Sequence, residues 1–128
     1  MHLCRPLFKL CVFTCFSFVL TMHTALADGF LSGTEDVPLM DGVVLSDEET
    51  FSFDTEDGRI YISKGISKND STKVLSFYRQ TLPQLGWQEK SAGEFVRESD
   101  ILRIAVADDD FDGQKSTSAI FELITKSK

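Results

Sequence analysis

The sequence predicts an α+β domain in which one amphipathic helix packs on a mostly antiparallel sheet of about five strands, order ββαβββ, after a signal peptide. Three observations carry this expectation. The first residues have the layout of an export leader. Downstream, short stretches of alternating apolar residues are separated by Gly, Asp and Ser turn signals. Residues 70–87 break that alternation and take up the period of a helix.

In the leader, Arg5 and Lys9 border the apolar run 10–20, and Ala25 and Ala27 form an A-x-A-like site before Asp28. The run is short of the ~20 residues that span a bilayer, so cleavage after Ala27 is expected instead of anchoring. The mature chain, residues 28–128, is then expected in the periplasm of a Gram-negative cell or otherwise secreted, with no membrane insertion once the leader is gone. All three cysteines (Cys4, Cys11, Cys15) and both histidines (His2, His23) precede the cleavage site. A disulfide, a thiolate or imidazole metal site, a Cys nucleophile and a His general base are therefore excluded from the mature chain.

Two of the 13 basic residues leave with the leader, so 11 face 20 acidic ones and the formal charge becomes −9. Such an excess argues against nucleic acid and anionic membrane surfaces as partners. Its simplest role is solubility.

Along the mature chain, residues 28–49 are rich in Gly, Ser, Asp and Glu and hold one apolar island, "VPLM". They read as an acidic N-terminal arm before a single domain, residues 50–128. In "TFSFDTEDGRIYISKGI" the Asp57-Gly58 pair marks a β-hairpin whose inward residues are expected to be Phe51, Phe53, Ile60 and Ile62, with Arg59 and Tyr61 facing the other way. Next, Val74, Tyr78 and Leu82 recur at helical spacing, with Phe77 and Leu85 close to the same stripe. Asp70 or Ser71 serves as N-cap, Pro83 ends the helix, and Gly86 supplies a left-handed exit to Trp87.

Four further stretches carry strand patterns: "GWQEKS"; "EFVRES", with Phe95 and Arg97 on one side; "ILRIAVA", with Leu102, Ile104 and Val106 in register; and "STSAIFELIT". The last is apolar on both sides, which fits a central strand. The side of the sheet away from the helix needs cover, and Val37, Leu39 and Met40 are expected to dock there or along an edge; the alternative is a loosely attached tail.

The segments "DVPLMDG", "FDTEDGRIY", "VLSFYRQTLPQLGW" and "FVRESDILRIAV" together resemble a group of small exported proteins of proteobacteria, particularly alphaproteobacteria. These share a D-x-P-L-M-x-G arm and a helix motif that here falls on Phe77, Tyr78, Leu82, Pro83, Gly86 and Trp87. The resemblance covers nearly the whole mature chain. It implies a periplasmic address and no reaction or catalytic residues.

One stretch suggests chemistry. "DDDFDG" sets Asp108, Asp110 and Asp112 at alternate positions before Gly113, as a calcium loop of the D-x-D-x-D-G kind begins. Position 12 of that loop, normally a bidentate carboxylate, is Ala119. The competing reading is an eight-residue hairpin connection, residues 108–115. Ser and Lys occur without an S-x-x-K or G-x-S-x-G context, and the abundant carboxylates read as solvated charge. No enzyme is expected, and no cofactor beyond a weakly held calcium ion. The leading expectation is a non-enzymatic exported interaction module that binds a protein or cell-envelope component. Its contacts are sought at a sheet edge, in the arm (Val37, Pro38, Leu39, Met40), or at an exposed aromatic, Tyr61 or Phe111. The alternative is a small-ligand or weak calcium-binding domain. Oligomeric state is left open.

Overall fold

The structure is a computed structural model that describes residues 29–127. The expected leader, residues 1–27, lies outside the described residues. The elements are β1 (Val43–Thr55), β2 (Gly58–Ser67), α1 (Ser71–Thr81), a 3₁₀ turn (Leu82–Leu85), β3 (Gln88–Ser91), β4 (Glu94–Arg97), β5 (Asp100–Phe111) and β6 (Gln114–Lys126). One sheet runs β1-β2-β6-β5-β4-β3, and every neighbouring pair is antiparallel. The architecture is α+β, but the sheet has six strands in the order ββαββββ where about five in the order ββαβββ were expected. All four strand-patterned stretches after the helix are built, β3 and β4 at four residues each, so the count of about five falls one short. Strands that short carry little alternation, and their ladder pairing with each other and with β5 defines them. Their turn requires Gly93, at φ +76°, where a Cβ would stand 2.5 Å from the Ile104 carbonyl oxygen.

The expected arm–domain boundary at residue 50 falls inside β1, which starts at Val43. A bulge hides this in the sequence. Leu45 faces Gly65 and Thr50 faces Ser63, so residues 46–49 loop out, closed by the Thr50 hydroxyl on the Ser46 carbonyl at 2.8 Å. The bulge also shifts the parity of the strand, so that Val44 before it and Phe51 and Phe53 after it stand on the same side.

In α1, Asp70 is the N-cap, its backbone extended and its carboxylate accepting from the Lys73 amide at 2.9 Å. Val74, Tyr78 and Leu82 are buried along one stripe. Pro83 lies in the 3₁₀ turn, and Gly86 at φ +87° closes the end, with the Trp87 amide donating to the Leu82 carbonyl at 3.1 Å. Trp87 is buried beneath Arg97, whose guanidinium lies 4.5 Å over the indole ring.

Side chains alternate across a strand, so the register assigns every residue to a face. One face carries Tyr61, Ser63, Gly65 and Ser67 of β2, Thr117, Ala119, Phe121 and Leu123 of β6, Leu102 and Ile104 of β5, and Phe95 of β4. It is this face that α1 covers, and the arm lies beside the helix on it. Leu31, Val37 and Leu39 belong to the core cluster with Val74, Tyr78, Trp87 and Phe121. Arm residues 29–39 fold back on themselves through the Leu31 amide to the Val37 carbonyl, 2.9 Å, and the Leu39 amide to the Gly29 carbonyl, 3.0 Å. The Met40 amide donates to the Tyr78 hydroxyl at 3.2 Å, and the Arg97 guanidinium pairs with the Asp36 carboxylate.

Two expectations are thereby reversed. "VPLM" does not cover the side away from the helix, and Phe51, Phe53, Ile60 and Ile62 do not point inward; Tyr61 does. The cause is volume. A helix and an arm laid side by side need depth, which Ser63, Gly65, Ser67 and Ala119 supply. At Gly65 a Cβ would stand 2.9 Å from Val43 Cγ1.

Candidate interaction face

The opposite face carries no described element, and none of the strand residues that the register places on it is buried. Its side chains form rows across the sheet. Phe53 opposes Ile60, which opposes Ile124, then Ile101, then Val96, a line of five apolar residues over five strands. The next row reads Phe51, Ile62, Glu122, Arg103, Glu94. Beyond it come Lys64, Ile120 and Ala105, then Val44, Ile66, Ser118 and Ala107. Directly opposed side chains on one face are in contact distance, so the apolar surface is continuous along the first row and is interrupted in the second by Glu122, Arg103 and Glu94. Seven large apolar residues of the described chain are exposed, and six of them lie on this face: Val44 at 71%, Phe51 at 52%, Phe53 at 47%, Ile66 at 53%, Phe111 at 85% and Ile120 at 44%. The seventh, Phe30, is in the arm. Scattered exposure would have needed no explanation; concentration on one side of one sheet does.

Most charges on this face are paired, Asp109 and Lys126 at its two ends excepted. Arg103 Nε lies 2.9 Å from Glu94 Oε2 and Nη1 lies 3.5 Å from Glu122 Oε2, while Lys64 Nζ lies 3.0 Å from Glu49 Oε1. The hydrogen bond to Glu94, followed by the charge of Glu122, pushes the already high Arg103 value up further. A groove of about 580 Å³ lies at one end, lined by Ile66, Lys68, Phe111 and residues 114–116.

The Asp-rich segment has a different form from the loop expected of it. Strands β5 and β6 stay paired out to Phe111 and Gln114, leaving a two-residue turn of Asp112 and Gly113 at φ +54° and +75°. Two successive positive φ values make the type I′ turn that suits a tight hairpin, so the eight-residue connection 108–115 is corrected to two residues. Asp108 and Asp110 are alternate residues of an extended strand, about 6.6 Å apart along it, and Asp112 sits in the turn. The Asp108 carboxylate accepts from the Ser71 amide and hydroxyl, both at 2.7 Å, and from the Thr117 hydroxyl at 2.9 Å. The Ser71 hydrogen bonds, then that of Thr117, hold its value below the usual carboxylate range. Asp108 thus ties the β5–β6 hairpin to the start of α1. The described residues include no group of three or more acidic side chains placed to hold a metal.

The sequence-derived partner contacts divide sharply. Val37 and Leu39 are core residues, and Pro38 and Met40 are partly covered. Tyr61 faces the arm, where a Cβ on Gly33 would stand 2.5 Å from its ring. Only Phe111 lies on the open face. Phe77 and Tyr78 meet edge-on, centroids 5.0 Å apart. Sequence reasoning missed the open face itself. Its signal was present in β6, which is apolar on both sides when the described residues hold one α-helix to cover either.

Fold and site together define a small α+β domain with one covered and one open sheet face. No protein family, curated protein or solved structure matches the chain. Among the described residues, no helix is long and apolar enough to cross a membrane.

Proposed function

We propose that the chain acts after export as a non-enzymatic interaction module, binding a protein or cell-envelope component of the periplasm through the open face of its sheet. The observation that carries the reading is the gathering of six of the seven exposed large apolar side chains on a face that no described element covers. The sequence-level resemblance to small exported proteins agrees with the address. The arm is a poor alternative contact, since Leu31, Val37 and Leu39 are spent in the core.

The test compares capture of partners from a periplasmic extract by the wild-type protein and by Phe51→Ser with Ile120→Ser. Loss of the captured species in the double variant, with circular dichroism and melting unchanged, is expected. Identical capture by both proteins would show that the face is not the contact.

A second reading, a small-ligand site, is favoured by a cleft of about 460 Å³ where Lys68, Lys73 and Lys115 meet Asp108, Asp109 and Asp110, and calcium is its simplest cationic test. A ligand bound only by the folded state raises its melting temperature, so about 1 mM calcium would do so if calcium is held. Asp110→Asn with Asp112→Asn would abolish the rise. A wild-type melt indifferent to calcium removes that cation.

A further inference from the structure

We infer that the occupant of the open face is a second copy of this chain, seated face to face about a twofold axis. This rests on the reading of the open face as the contact surface and names its partner.

Size is the first reason. The four long strands β1, β2, β6 and β5 lie about 4.8 Å apart and rise about 3.3 Å per residue, so ten residues of each make a surface of roughly 600 Å² in plan. That plan area takes in the face of these four strands, charged Glu122 and Arg103 together with its apolar rows. With side-chain relief added it approaches the ~800 Å² that each partner contributes to a stable interface. Two such faces stacked about 10 Å apart make a β-sandwich, the ordinary way in which sheets cover one another.

Charge is the second. The mature chain carries −9, which would repel a copy on most approaches. The open face carries Lys64, Arg103 and Lys126 against Glu49, Glu94, Asp109 and Glu122, a balance of −1. A basic partner would find little to attract it here, whereas an apolar twin meets almost no repulsion. A twofold axis lying across the strands also brings the end that carries Asp109 over the end of the copy that carries Lys126. Self-complementarity of this kind is what an isologous contact demands.

The edges leave few other routes to self-association. The bulge at residues 46–49 places Asp47, Glu48 and Glu49 on edge strand β1, and the other edge, β3, is four residues long. Both devices discourage edge pairing.

The experiment uses the exported product purified from cells expressing the full chain. Sedimentation and light scattering are expected to give twice the monomer mass for the wild type, and the monomer mass for Phe53→Glu and for Ile120→Glu with unchanged circular dichroism. The exported chain is expected to lack cysteine, so Ile120→Cys provides an independent arm. Near the middle of the interface, it forms an intermolecular disulfide under mild oxidation, whereas Phe30→Cys in the arm does not. A dimer that survives both charge substitutions, or equal cross-linking at positions 30 and 120, overturns the inference. A wild type that is monomeric at every concentration also overturns it. In that case, partner capture that is still lost in Phe51→Ser with Ile120→Ser leaves the open face as a site for another protein, while unchanged capture removes both readings.

Discussion

Phe121 and Ile120 are neighbours in β6, yet one is 1% exposed and the other 44%. The two faces of this sheet are built from the same strands and are comparably apolar, and they differ in what lies against them. On one side α1 and the arm bury Phe121 with Tyr78, their ring centroids 5.5 Å apart. On the other side the ladder Phe53–Ile60–Ile124–Ile101–Val96 has no described cover. Burial here follows from the presence of a partner element, and hydrophobicity of the strand residue alone does not determine it.

The largest expected effect tests that difference directly. Phe121→Ala should cost about 3–5 kcal/mol, from lost transfer energy and the cavity left under the helix. Against a typical domain stability of about 5–15 kcal/mol, and with no cysteine among the described residues, that brings the fold near its limit. Phe51→Ala on the open face should cost less than about 0.5 kcal/mol when measured on the dilute monomer. Urea denaturation of the two variants checks the comparison. Equal losses would mean that the open face is buried within the monomer after all.

How much of this contrast was legible beforehand depends on the distance over which each feature is decided. The cap at Asp70, the buried stripe Val74, Tyr78 and Leu82, and the exit through Gly86 depend on residues within one or two turns, and the sequence displayed them. Alternation in the hairpin was equally visible, but alternation supplies a period and no direction. Phe51, Phe53, Ile60 and Ile62 look inward to any rule based on hydrophobicity. They lie outward because Ser63, Gly65 and Ser67 are what the arm and helix can fit against, and that depends on elements remote in sequence. The Asp-rich segment misled for a related reason. A D-x-D-x-D-G spacing is indifferent to whether the chain coils around an ion or runs straight into an Asp-Gly hairpin turn, and pairing with β6 selects the second.

A smaller effect tests how firmly the covered face holds its arm. The Tyr78 hydroxyl is the acceptor for the Met40 amide at 3.2 Å, and Tyr78→Phe leaves that amide without it at a cost of about 1 kcal/mol. The arm should become easier to cleave by protease while the sheet melts almost as before. Burial also pushes the Tyr78 phenol up to about 12, with the Met40 hydrogen bond acting weakly in the opposite direction. The unfolded chain ionises this group near 10. Stability should therefore fall as pH rises above that value and level off above about 12, and Tyr78→Phe should remove this part of the alkaline decline. An alkaline melting profile identical in wild type and variant would show that the hydroxyl is not shielded as described.

The smallest effect compares two adjacent carboxylates on opposite faces. Asp108 points to the covered side and receives the Ser71 amide and hydroxyl at the start of α1; Asp109, one residue on, points to the open side. Asp108→Asn keeps one acceptor oxygen but cannot receive both groups of Ser71 and the Thr117 hydroxyl together, so a fall of a few degrees in melting temperature is expected. Asp109→Asn should leave it unchanged. The pH dependence has a definite sign. The Asp108 value is depressed in the folded state, chiefly by Ser71, so its stabilisation is complete above the carboxylate value of the unfolded chain and is lost as pH falls through the lower folded value. Wild type and Asp108→Asn should accordingly differ near neutral pH and converge in acid. If they differed by the same amount at both ends, Asp108 would be acting through its shape and not through its charge, and the tie between the β5–β6 hairpin and the helix would have to be ascribed to Thr117 and packing alone.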